Sequence, residues 1–157
     1  MKVGRVPTLA DSRYFLLELP HHVLPPRFEE TIFSLIAAGY APILTHPERL
    51  SWIESRFDVV ERLWAAGVWL QLTAGSLTGS FGIRARYWAE RMLSEGMVQI
   101  LATDAHNTGD RPPRLAEARD IAATRCGNDE AERLVWSRPL AILDNLPPCE
   151  GIIVGAA

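Results

Sequence analysis

Short apolar runs recur along the chain, each followed by a longer stretch whose apolar residues fall three or four apart. Tyr14 to Leu19 reads as a strand. After Pro25 and Pro26, residues Phe28, Ile32, Leu35 and Ile36 line one face of a helix that stops before Gly39. Ala41 to Thr45 is the next strand, and Asp58 to Ala66 the next helix, with Val59, Leu63 and Ala66 inward and Gly67 at its stop. The plan repeats with a strand over Val68 to Leu72 and a helix over Ile83 to Glu95. That helix turns Ala85, Trp88, Ala89 and Met92 to the core and closes at Gly96. Val98 to Thr103 is a fourth strand, and Pro113 to Arg125 a fourth helix carrying Leu115, Ala118, Ile121 and Ala122, ended by Gly127. Asn128 or Asp129 is placed to cap a last helix reaching about Trp136, and Pro139 to Leu143 add a short helical turn.

Strict alternation of strands and helices predicts an α/β fold, a parallel sheet covered by helices. Four strand–helix units suffice for an open sheet, or make about half of a closed (β/α) barrel, a partial barrel. No internal repeat, low-complexity tract or linker divides the chain, which reads as a single domain over 1–157. A length of 157 residues with 48% hydrophobic content is enough to bury a core.

The formal net charge of -3 offers no basic footprint for nucleic acid or an anionic membrane surface. No apolar run approaches the about 18 residues of a membrane span, and the start MKVGRVPTLADS has no signal-peptide core. A cytoplasmic location is the expectation. Two cysteines, Cys126 and Cys149, make neither a disulfide framework nor a thiolate zinc site.

Candidate chemistry collects at the strand ends. Asp104 and His106 follow the fourth strand as Asp-x-His, a spacing that lets an extended chain aim both into one pocket. Glu18 is the only charge in YFLLELP, where a carboxylate needs a compensating partner, either a metal or an arginine of the next strand. His46 sits just past the second strand, as a metal ligand or as a helix-entry histidine before Pro47, whereas His21 and His22 fall in the loop after the first strand. In parallel α/β folds chemistry gathers at the carboxyl ends of strands. Oxygen and nitrogen donors together suit manganese, iron or zinc.

Arg49 in THPER and Arg111 in HNTGDR follow these residues, as solvated loop cations or as forks matched to phosphate oxygens. TAGSLTGSFG, Thr73 to Gly82, is rich in glycine and hydroxyls but has no Walker lysine, so a tight surface turn or pocket wall is expected there. Cys126 does not fit the Cys-x5-Arg phosphatase pattern, because Glu132 stands at the arginine position and Arg133 one place late. It is expected to be a buried helix-end residue.

Together LLELPHHVLPPRFEE, ILTHPERL, QLTAGSLTGSFG and TDAHNTGDRPP resemble the bacterial tyrosine phosphatases of capsular and exopolysaccharide operons, within the polymerase and histidinol phosphatase (PHP) family. The resemblance runs in order from about Tyr14 to Leu143. It implies a distorted (β/α) barrel, a cluster of Mn2+ or iron (or zinc) ions, and hydrolysis of phosphotyrosine on an autophosphorylating kinase that controls polysaccharide assembly. Glu18, His46, Asp104 and His106 match the family's metal-ligand positions, and Arg49 and Arg111 its phosphate-binding positions.

One departure is expected to matter. The family carries an amino-terminal His-x-His, yet this chain has no histidine before His21. It matches the carboxyl-terminal portion of a family member, so the remaining ligands are expected from a longer chain or a second subunit, and turnover is expected to suffer. The alternatives are a non-catalytic module that binds a kinase tail or sister subunit through an open sheet edge, and another PHP-type hydrolase acting on histidinol phosphate or a sugar phosphate.

Overall fold

Alternate residues of each strand enter different cores, and that decides how the sheet is used. A computed structural model of the protein describes residues 6–109 and 113–148. Four strands, β1 (Tyr14–Leu17), β2 (Ala41–Thr45), β3 (Trp69–Thr73) and β4 (Ile100–Ala102), form one parallel sheet in sequential order β1-β2-β3-β4. Leu44, Leu70, Leu72 and Leu101 face the larger core with Ile32, Leu63, Trp88, Met92, Ala118 and Ala122 from the helices. Tyr14, Ile43, Trp69 and Ile100 face the other way, into a smaller cluster closed by Ile142 and Leu9.

The helices between strands are α1 (Phe28–Ala37), α2 (Phe57–Ala65), a short α3 (Ala74–Leu77) and α4 (Gly82–Ser94). After β4 come α5 (Ala116–Cys126), α6 (Asn128–Glu132) and α7 (Arg138–Leu143). Sequential parallel strands require crossovers of one hand, which lay the connecting helices on one face. That is the expected α/β half-barrel arrangement.

Several expectations are corrected. Ala66 is exposed just past α2, and Phe57 and Val60 join Val59 and Leu63 in the core instead. β4 begins two residues late because Gln99 uses its side chain: Gln99 Oε1 accepts the Leu70 N–H at 2.8 Å, while the Gln99 N–H donates to Leu70 O at 3.0 Å. Neither Asn128 nor Asp129 caps α6. Gly127 occupies that position, and no side chain donates or accepts there. Arg133–Ser137 is a π-helical turn leading into α7, where Pro139 has no N–H to continue an α-helical ladder. Thr73 to Gly82 is a surface turn only in its second half, over 78–81, for it first winds into α3, where Ala74, Ser76 and Leu77 are buried.

Candidate metal and anion site

Because all four strands run the same way, their carboxyl ends form one rim. Leu17 pairs with Leu44, and Thr45 with Gln71, so Glu18 and His46 leave adjacent strands side by side. His46 Nε2 lies 3.4 Å from Glu18 Oε1. His46 is 5% exposed, and its Nδ1 is buried without a partner among the described residues. Its backbone is left-handed, φ 39 and ψ 50, held by a 2.8 Å bond from its own N–H to Gln71 O. Asp104 is also left-handed, φ 49. Non-glycine residues adopt this region at a cost of order 1–3 kcal/mol, which the surrounding structure must offset.

Burial lowers the pKa of His46, with the Arg49 charge acting in the same direction and Glu18 and Asp104 opposing them. The imidazole is thereby biased to its neutral form, the form that donates a lone pair.

The predicted residues gather in two neighbouring sets. Glu18 and His46 form one, and His21, which sequence reasoning left in a loop, joins them. One donor atom from each of the three lies within 4.8 Å of the others. Asp104 and His106 form the second set, His106 Nε2 standing 3.4 Å from Asp104 Oδ1. Arg49 donates to Asp104 Oδ2 at 2.8 Å, and its guanidinium lies 4.2 Å from the Phe81 ring centroid. Arg111 lies outside the described residues.

Glu48 was also missed. It is wholly buried, and its Oε1 accepts from the Thr73 N–H at 2.9 Å and from the Ser76 hydroxyl at 2.7 Å, leaving Oε2 without a partner among the described residues. Burial raises its pKa to about 7 against the pull of those hydrogen bonds. It stands in the 3-10 turn Pro47–Arg49, between His46 and Arg49, and ties that turn to the start of α3. A charged residue beside proline gives no sequence signal of burial.

Donors bonded to one ion at 2.0–2.2 Å are at most roughly 4.4 Å apart, so a group within 4.8 Å fits a single ion after small adjustments. Two imidazoles and a carboxylate suit manganese, iron or zinc. Cys126 belongs to another part of the fold. It ends α5, half-buried, with its thiol pKa pushed up by burial and then by Glu130, the opposite of what a nucleophilic thiolate requires.

A parallel α/β sheet with histidine, carboxylate and arginine groups along its carboxyl rim defines a protein with a candidate metal and anion site. Residues 1–144 match the family model described as "Capsular polysaccharide synthesis, CpsB/CapC", and the chain belongs to that family. The CapC protein of Staphylococcus aureus is 33% identical over 142 residues, covering 90% of this chain and 56% of that protein. The tyrosine-protein phosphatase YwqE of Bacillus subtilis is 30% identical over 122 residues, covering 78% and 48%. Solved structures of YwqE and of CpsB from Streptococcus pneumoniae are described as unique metal-dependent tyrosine phosphatases. The match to them has a TM-score of 0.84 at 28% identity, over 89% of this chain and 56% of the solved one. The chain spans about half the length of the relatives it matches.

Proposed function

We propose that this chain carries part of the active site of a metal-dependent protein-tyrosine phosphatase acting in capsular or exopolysaccharide synthesis. The observation that carries the reading is His46, a buried imidazole with Glu18 beside one nitrogen and, among the described residues, no partner on the other, next to the Asp104–Arg49 pair. Glu18, His46, Asp104 and His106 are the residues assigned to hold metal. When bound, a divalent ion supplies Lewis acidity to the phosphoryl group and to water. Manganese is the ion proposed, with iron or zinc compatible with the same donors.

The chain's own residues do the rest. Arg49 is held from two sides, by Asp104 through a hydrogen bond and by the face of Phe81, which leaves further N–H donors to meet phosphoryl oxygens. Arg111 is assigned the same task from its place after His106 in the sequence. Glu48 keeps the turn carrying His46 and Arg49 against α3. The proposed substrate is the phosphotyrosine tail of a bacterial tyrosine kinase, met in the cytoplasm by a chain that reads as one domain. Among the described residues no helix is long and apolar enough to cross a membrane. β1 and β4 are the edges of the described sheet, and Leu16 on β1 is exposed, a surface suited to further strands or a second subunit.

The test is phosphate release from a phosphotyrosine peptide and from histidinol phosphate, with and without Mn2+. Mn2+-dependent release from the peptide alone is expected. Preference for histidinol phosphate assigns the chain to another hydrolase type, and no turnover together with no bound metal assigns it a non-catalytic role.

A further inference from the structure

We infer that His21 is a metal ligand, so that Glu18, His21 and His46 form a three-donor site for a divalent transition ion. The inference rests on the metal-dependent reading above and adds a residue to it.

Three observations carry it. One donor atom from each of the three residues lies within 4.8 Å of the other two. His46 is almost wholly buried, and the best polar contact of its imidazole is the 3.4 Å approach to Glu18, long for a hydrogen bond, while Nδ1 has none among the described residues. A buried imidazole left this way costs stability that a cation at the site recovers. The loop bearing His21 is also fastened in place. His21 O accepts from both the Ser51 N–H, at 2.8 Å, and the Ser51 hydroxyl, at 2.9 Å, and Trp52 Nε1 donates to Pro20 O at 3.4 Å.

Ring geometry says what must move. The His21 and His46 rings stack with centroids 5.2 Å apart and planes 18° from parallel. Imidazole lone pairs lie in the ring plane, so both rings cannot aim at one ion from this stack. One ring turns, and it is His21, the half-buried member on a loop. His22 is the natural control, an exposed neighbour whose Nδ1 lies 3.3 Å from Ser51 Oγ.

The experiment titrates the metal-free protein with Mn2+ and Zn2+ by calorimetry and with Co2+ by visible absorption, for the wild type, His21→Ala, His21→Gln, His22→Ala and His106→Ala. Both His21 variants are expected to bind at least about tenfold more weakly, with an altered Co2+ band, while His22→Ala matches the wild type and circular dichroism stays unchanged. Wild-type affinity and spectrum in both His21 variants overturn the assignment. If His106→Ala loses metal and the His21 variants do not, the phosphatase reading stands and His21 is not a ligand. If the His21 variants lose metal and the wild type hydrolyses no phosphotyrosine, the ligand stands and the phosphatase reading falls. A wild type that binds no ion overturns both.

Discussion

The Ser76 hydroxyl donates a 2.7 Å hydrogen bond to Glu48 Oε1 in a region closed to solvent. The Thr73 N–H reaches the same oxygen at 2.9 Å, so one carboxyl joins the end of β3, the start of α3 and the turn between His46 and Arg49. Losing one donor to a buried carboxyl costs about 1–3 kcal/mol, and Ser76→Ala is expected to lose that much in urea unfolding. An unchanged midpoint would show that water replaces the hydroxyl.

The same carboxyl sets a pH dependence. Its folded pKa of about 7 stands above the ordinary 4.5, so between those values the folded protein holds the proton more tightly than the unfolded chain. The stability gained is complete below pH 4.5 and is lost as pH rises through 7, by on the order of 3 kcal/mol. His46 works in the opposite sense. Its folded pKa is lowered, so its contribution is lost as pH falls below 6.5. Glu48→Gln removes only the first effect. Urea midpoints of this variant and the wild type should agree at pH 4 and separate by pH 7.5, the glutamine variant being the more stable there. Parallel curves would mean that Glu48 is ionised throughout.

How much of this was legible in the sequence follows from the range of the interactions. Ala41–Thr45 was readable to the residue because an apolar run between a glycine and a proline needs only local information. The inward face of α4, Ala85, Trp88, Ala89 and Met92, was readable for the same reason. Glu18, His46 and Asp104 stood out because a charge or imidazole at the end of an apolar strand is conspicuous, and Arg49 because it follows His46 in THPER. His21 did not, since its place depends on Ser51, 30 residues away. Glu48 did not, since its partners lie 25 and 28 residues on. Gln99 looked like a strand residue until its side chain was found bonded to Leu70 on β3.

His46→Ala is expected to lower Mn2+ affinity by about 100-fold or more, because it removes the one buried donor of the group. Protons compete with metal for imidazole, and the pKa of His46 lies below the ordinary 6.5. Wild-type binding should therefore persist to a lower pH than an exposed histidine site allows. Calorimetry between pH 5.5 and 7.5 checks this, and loss of binding centred at or above pH 6.5 would contradict it.

Cys126 is expected to alkylate slowly. Burial and Glu130 hold its pKa above 9.0, so thiolate is scarce at neutral pH. In a Cys149→Ser background, iodoacetamide labelling should accelerate only above pH 9 and leave the proposed phosphotyrosine hydrolysis unaffected. Fast labelling near pH 7 that abolishes activity would return a cysteine mechanism to consideration.

Gly75 offers a way to disturb Arg49 without touching it. A Cβ at Gly75 would lie 2.7 Å from Phe81 Cε2, so Gly75→Ala must displace the ring on which the Arg49 guanidinium rests. Overpacking of this kind costs about 1–3 kcal/mol, and the unfolding midpoint should fall accordingly. If Phe81 orients Arg49 toward phosphate, affinity for a phosphotyrosine peptide should also fall, about tenfold, as it should in Phe81→Leu. Gly79→Ala is the comparison. A Cβ there meets nothing within 4 Å, but φ is +88, so the variant should lose about 1 kcal/mol of stability with peptide affinity intact. Equal loss of affinity in the two alanine variants would attribute the effect to a loosened loop, and Phe81 would have no part in holding the arginine.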